Sequence, residues 1–370
     1  MDVSLFGTIL GRDEKLDGKA DDRGKDELLV NAYATVRDLP ALDFPHRLMG
    51  QRDLSDPDMP SDLDAFVGYV FGRGDGQMTA MHYHLWGHIR RVRNQVNFVV
   101  ALGDLPAVTA WARSANAILF LGDGSVRAPD MAMLMNAEGV FNDKAGLPYP
   151  PDAIARRART LKLLGNTRPA PPASMPPCFG EAEAALRPAS EVFERALGLF
   201  CVAAQGVAVE NGDKSVLAFM REQNPIGINA LTPQERIFLE AENPDAQTAV
   251  QMSWRYEALN VLLWTLSIGP DHLDPAGEIA DVNALVQRVL DIAKDKSEVR
   301  ELNLRPAAEI LDALDLTWRQ HWITRQARLE GVEVETLNPS VVMERHHALN
   351  WITGFQNDRS TDWDNIDTPT

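Results

Sequence analysis

Cysteine is scarce, with Cys178 and Cys201 the only two in 370 residues. One possible bridge cannot staple a chain of this length, so a disulfide scaffold is excluded and a reducing cytoplasm is the expected compartment. Long apolar runs are also missing. The longest candidate, residues 258–268, is interrupted by Asn260 and stops at Gly269-Pro270, short of the ~18 residues that span a bilayer. Residues 1–10 have a short apolar patch without a basic flank, which is not the pattern of a signal peptide. No membrane is expected as a partner. Positive charge is in deficit: 36 Lys and Arg against 53 Asp and Glu, a formal net charge of -17. Residues 1–150 carry 21 acidic and 15 basic side chains, and the remainder 32 and 21. Neither part is a basic module masked by an acidic one, so no nucleic acid is expected as a partner. The chain also has no G-x-S-x-G elbow and no cysteine with an evident base, so nothing points to nucleophilic catalysis.

What is present is ordinary globular composition, 45% hydrophobic and 24% charged. At about 100–200 residues per domain, two domains are expected. Residues 1–27 mix both signs of charge with glycine and read as a mobile charged segment. Residues 28–148 read as an α/β domain. Strands are expected at 28–36, 65–71, 95–102 and 117–121. A tight turn at Gly122-Asp123-Gly124 then leads into a short strand at 125–127. Helices are expected at 78–93 and 105–115. Residues 149–180 hold a helix and a Pro-rich linker, with Pro169, Pro171, Pro172, Pro176 and Pro177 disfavouring helix and favouring an extended linker or wrapping arm. Residues 181–370 keep a period near 3.6, with helices expected at 181–210, 214–223, 233–241, 245–267, 280–294, 306–330 and 339–355. The fold class is therefore α+β, an N-terminal α/β domain followed by a larger all-α domain.

Three features of the first part resemble chemistry. Gly72-Arg73-Gly74-Asp75-Gly76 lies between an expected strand and helix, but lacks the spacing of a dinucleotide fingerprint and the Lys of a P-loop; it reads as a turn. His84 and His88, four apart, share a helix face with His82 nearby. No cysteine or carboxylate stands by to complete a metal site, so they read as packed or solvated histidines. Arg90, Arg91 and Arg93 end a helix, where cations complement its dipole. No metal and no cofactor are called for.

The more informative charges lie beyond Trp254, where apolar residues belong. In the expected helix after Asn338, rotation by 100° per residue puts Val341, Ala348, Leu349 and Ile352 on one face. Arg345 falls in the middle of that face and Glu344 between Trp351 and Phe355, whereas His346 and Asn350 fall on the opposite, polar side. In the helix at 306–330, Arg325 falls inside the stripe of Leu311, Leu314, Trp318, Trp322 and Leu329, with His321 at its border. In the helix at 245–267, Arg255 sits among Ala258, Leu259, Leu262 and Leu266, and Glu257 between Val250 and Trp264. Charge buried without a partner costs several kcal/mol, so Arg255, Glu257, His321, Arg325, Glu344 and Arg345 are expected either to pair or to line a wet cavity.

The same positions fall in motifs that carry a resemblance. Arg255-Tyr256-Glu257-Ala258-Leu259 with Leu262-Leu263-Trp264 is the first. Leu304-Arg305-Pro306, Glu309-Ile310-Leu311-Asp312 and Leu314-Asp315-Leu316 follow, with Arg319-Gln320-His321-Trp322 after them. The run from Val341 to Trp351 and the tail Asp362-Trp363-Asp364 to Thr368 complete the set. Together these resemble an uncharacterised, largely bacterial family of domains of unknown function. The resemblance is specific over residues 250–368, is looser around 112–127, and implies no reaction. Two functional readings follow. The first is a cytoplasmic, non-catalytic binding or regulatory protein whose buried charges form an internal ion network. The second is an enzyme or sensor that takes a small anionic ligand at those charges, with Glu257 or Glu344 as base and His321 as proton carrier. The partner is accordingly a protein or a small anionic ligand.

Overall fold

The computed structural model describes residues 26–73, 77–273, 275–294, 302–356 and 362–370. Nearly all of the expected charged N-terminal segment and the last three residues of the Gly72–Gly76 turn lie outside the described residues. The chain divides into two compact units, Met1–Asp152 and Ala153–Thr370.

The first unit is built on one six-stranded sheet. Its strands are β1 (Glu27–Ala34), β2 (Arg47–Asp53), β3 (Asn94–Ala101), β4 (Ala117–Leu121), β5 (Val126–Arg127) and β6 (Met133–Met135). They run in the order β2-β3-β1-β4-β5-β6, every neighbour antiparallel. Alternation along β1 supplies both faces of the sheet. Val30 and Ala32 join Phe98 and Trp111 on one side, and Tyr33 joins Phe66 and Phe120 on the other. Helices α1 (Met59–Phe71), α2 (Ala80–Arg90) and α3 (Leu105–Ser114) accompany the sheet. The strand expected at 65–71 is the second half of α1. Pro60 opens that helix and Asp62 lies in its first turn. Its buried residues, Met59, Asp62, Phe66, Tyr69 and Val70, recur at helical spacing, which a seven-residue apolar window cannot separate from a buried strand. The turn into β5 forms as expected, with Gly124 at φ +81° and Asp123 accepting the Ser125 N–H at 2.9 Å.

The second unit holds ten α-helices among the described residues: α4 (Pro151–Leu164, beginning two residues before the boundary), α5 (Ala189–Asn211), α6 (Val216–Gln223), α7 (Pro225–Asn229), α8 (Pro233–Glu240), α9 (Ala246–Ser253), α10 (Arg255–Thr265), α11 (Val282–Lys294), α12 (Ala307–Glu330) and α13 (Pro339–Thr353). Helix α10 is the hub. Every residue from Tyr256 to Thr265 is buried, and α5 and α13 pack on it. The single helix expected at 245–267 breaks at Trp254. There the Ser253 hydroxyl donates to the Val250 carbonyl at 2.8 Å, a local bond that competes with helix continuation. The helix expected from 181 starts at Ala189 because Pro188 stands at its N-cap, and a residue before proline disfavours helical geometry. Helix α5 is also long and apolar enough to cross a membrane by length and composition, with 78% of its most apolar window buried inside the unit. Helix α13 has the expected ends. Asn338 accepts the Ser340 and Val341 N–H groups, and Gly354 closes the helix at φ +67°.

The Pro-rich segment is a wrapping arm on this second unit. Carbonyl oxygens of Ala173, Pro176 and Phe179 accept from Arg157, Arg319 and Arg156 at 2.6, 2.8 and 2.9 Å. The tail lies down in the same way. The Asp367 and Pro369 carbonyls accept from Asn350 and Trp318 at 2.9 and 3.0 Å.

Candidate functional site

Helices α10 and α13 exchange two ion pairs. Arg255 at the start of α10 places one terminal nitrogen 2.9 and 2.8 Å from the two Glu344 carboxylate oxygens. Two residues along, Glu257 meets Arg345 at 3.5 Å. The Glu257 carboxylate also accepts the backbone N–H of Ala280 at 2.6 Å. Glu257, Glu344 and Arg345 are buried, whereas the Arg255 side chain keeps 24% of its surface exposed. Burial pushes the Glu344 carboxyl above the usual carboxylate range, and the Arg255 guanidinium pulls it back. Four of the six expected charges thus neutralise one another across one helix pair, as charge removed from water requires.

The other two residues stand apart. Arg325 is exposed on α12, as is Leu329 at the end of the same helix, so that end of the expected stripe faces water. Arg325 touches the rest of the set only through its field, which, after burial, helps to lower the His321 pKa to about 4. His321 is buried, but its partner is His346 of α13, the two Nδ1 atoms 2.8 Å apart. His346 and Asn350 were expected on a polar, outward side of that helix; both have no exposed surface. The C-terminal tail covers Asn350 and His321 covers His346, which a wheel drawn for one helix cannot foresee. Beyond its opening Pro339, Met343 is the exposed residue of that helix.

Helical periodicity missed two further buried pairs. Arg195 on α5 grips both oxygens of Glu235 on α8 at 2.9 and 2.7 Å. Asp315 and Arg319, one turn apart on α12, pair at 2.9 Å, each with 0% exposure. Both left a signal. Arg195 falls among Val192, Ala196 and Leu199 at i-3, i+1 and i+4, and Thr232-x-x-Glu235 is a capping box, which forms here.

Two pockets of this unit are lined by residues other than Arg255, Glu257, Glu344 and Arg345. One, of about 40 Å³, lies among Leu217, Ile228, Leu231, Arg236 and Leu239. The other, of about 320 Å³, lies beside Asn260 and Arg288. Among the described residues no group of three or more His, Cys, Asp or Glu could hold a metal ion. In the first unit, His82 is stacked on Phe141 and His88 points Nε2 at the Tyr33 carbonyl at 3.3 Å. Both therefore sit as packed histidines.

A family model described as a domain of unknown function (DUF4272) matches residues 156–366. The chain belongs to this DUF4272 family. No curated protein and no solved structure matches it. The matched span holds the exchanged ion pairs, the Arg195–Glu235 and Asp315–Arg319 pairs and the larger pocket, so the DUF4272 domain coincides with the helical unit.

Proposed function

We propose that this protein is a non-catalytic binding or regulatory protein whose DUF4272 domain is a scaffold locked by internal ion pairs. The observation that carries this reading is the reciprocal pairing of Arg255 with Glu344 and of Glu257 with Arg345. Each charge is consumed by another charge of the protein rather than held ready for a substrate. The alternative of an anionic ligand at these residues would need a pocket lined by them. The acidic surface favours a protein or a small ligand as partner over nucleic acid or an anionic membrane. Two buried, unbridged cysteines support action in the cytoplasm.

Thermal melting of Arg345→Ala and Glu344→Gln tests the scaffold role. Removing the Arg345 guanidinium takes away the cation that faces the Glu257 carboxylate, and breaking a buried pair from one side costs about 3–5 kcal/mol. Both variants are therefore expected to melt below the parent, Arg345→Ala furthest. Charges poised for a substrate behave in the opposite way, because replacing them commonly raises stability. An unchanged or raised melting temperature in both variants would overturn the reading.

A further inference from the structure

The C-terminal tail, residues 362–370, lies in a groove that it satisfies only in part. Donors of the helical unit meet acceptors of the tail. The His347 Nε2–H donates to the Trp363 carbonyl at 3.0 Å. The Asn350 amide donates to the Asp367 carbonyl and the Trp318 indole to the Pro369 carbonyl. The Gln234 N–H in the first turn of α8 donates to the Asp364 carboxylate at 3.2 Å. The carbonyls belong to the main chain, which every peptide has. Selectivity rests on the other two features. The buried Trp363 ring packs on His347 and Trp351, with centroids 4.6 and 5.4 Å away, and the Arg195 guanidinium lies 5.2 Å over it. The Asp364 charge complements the positive end of α8.

Polar atoms are left over at this junction. Asn350 is 0% exposed, and its Oδ1 has no donor among the described residues. Two neighbouring tail positions cannot supply one. The Thr368 N–H goes to the Asp367 carboxylate at 2.8 Å, and Pro369 has no N–H. The Trp363 indole N–H and the Arg195 Nε–H are likewise buried without an acceptor. Native proteins satisfy nearly all such groups, because leaving them unpaired is unfavourable. A carboxamide holds a peptide through both halves, its N–H on a carbonyl and its oxygen on an N–H. Against the tail, Asn350 uses one half.

We infer that this groove docks a segment of a partner protein and that the tail is its resident competitor. The segment presents a large aromatic ring in the place of Trp363, a carboxylate next to it for the start of α8, and a free main-chain N–H for Asn350 Oδ1. A desolvated aromatic anchor is where the binding energy of such interfaces concentrates. Because it belongs to the same chain, the tail competes at an effective concentration of roughly millimolar order. The partner displaces it through the contact that the tail lacks. The inference deepens the binding reading above and names the chemistry of the partner. The exchanged ion pairs between α10 and α13 stay as they are.

The test is fluorescence anisotropy with a labelled peptide of residues 362–370 and the full chain. Trp363→Ala in the chain empties the aromatic place. The peptide is expected to bind this variant saturably and to bind the parent, whose own tail holds the groove, roughly ten-fold or more weakly. The peptide carrying Trp363→Ala should bind neither. The peptide carrying Asp367→Ala and Pro369→Ala frees one N–H beside Asn350 and adds another, and should bind several-fold tighter than the tail sequence. Where Trp363→Ala does not fold, Asp364→Lys in the chain loosens the tail by setting a cation against the start of α8, and the same order of affinities is expected. No binding to either loosened chain, equal binding to the parent, binding that survives loss of the peptide's tryptophan, or no gain from the freed N–H groups would each overturn the inference. So would a concentration-dependent dimer of the parent that Trp363→Ala abolishes, since the groove would then serve a second copy. The melting of Arg345→Ala is read without peptide, so the scaffold reading is judged separately.

Discussion

Asp315 and Arg319 face each other one turn apart, and solvent reaches neither. Arg319 spends two nitrogens on the Asp315 oxygens, at 3.1 and 2.9 Å, and its second terminal nitrogen also holds the Pro176 carbonyl. The pair therefore fixes α12 and the proline-rich arm together. Asp315→Ala is expected to destabilise by about 3–5 kcal/mol because it strands a buried guanidinium. Glu309→Ala on the same helix should lose far less. The Glu309 side chain is 50% exposed and its partner Arg305 also donates to the Trp264 and Pro270 carbonyls, and a partly solvated pair contributes about 1 kcal/mol or less. Denaturant melts of the two variants check the order, and equal losses would refute it. At this scale the sequence is informative about which charges leave water and silent about their partners. Arg345 and Glu257 stand out because each interrupts an apolar stripe. Their pairing depends on how two helices cross, and no single-helix wheel contains that. The same limit explains Arg325, placed in a stripe that ends before it, and His346, whose cover comes from His321 and from outside its own helix.

Helix-to-helix approach is set by small residues. At Gly206 on α5, an added Cβ would sit 2.7 Å from the Ala249 carbonyl oxygen and 2.7 Å from the Ser253 backbone nitrogen. Both are backbone atoms, so the side chain cannot yield and the helices must part. Gly206→Ala is therefore expected to destabilise by about 1–3 kcal/mol, the range for overpacking, although alanine favours helix by about 1 kcal/mol over glycine. Gly212→Ala makes a useful contrast. Gly212 ends the same helix at φ +71° with nothing within 4 Å of an added Cβ, so only the left-handed backbone is penalised. Chemical denaturation of both variants measures the difference, and a more stable Gly206→Ala would show that α5 and α9 are not in close contact. Elements were legible where caps and period agreed, as at Asn338, Pro339 and Gly354 around α13. They were misread where a short run satisfied two periods, as in α1. They were missed where an edge strand had little apolar pattern, as in β2, whose Leu48 and Met49 are both exposed.

Over the whole molecule the buried histidines set a pH dependence. Burial lowers His321 to about 4, with Arg325 adding to the effect. Burial lowers His347 to about 3, with Arg255 and Arg195 adding to it. His346 lies well below its ordinary value through burial and the neighbouring His321 and His347. In the sheet unit, burial and Arg91 bring His88 to about 3. All four are neutral when folded and regain a pKa near 6.5 on unfolding, so the unfolded chain binds more protons below that value. Stability is then fully present above about pH 6.5 and falls as pH drops toward 4. Each histidine that stays neutral removes about 2 kcal/mol by pH 5. The opposing group is Glu344, whose raised pKa lets the folded chain take up a proton first at the acid end and softens the fall there. The His321–His346 contact sharpens it. One ring donates its Nδ1–H to the other, and protonating the acceptor leaves two N–H groups facing each other across 2.8 Å. Melting temperature measured from pH 7.5 to pH 5 should fall steadily, and His321→Gln combined with His346→Gln should flatten the slope. A level profile over that interval would mean that these rings titrate in the folded chain as they do in the unfolded one, and a melting temperature that rises as pH falls would mean that they carry charge when folded; either would show that the packing of α12 against α13 described above is wrong.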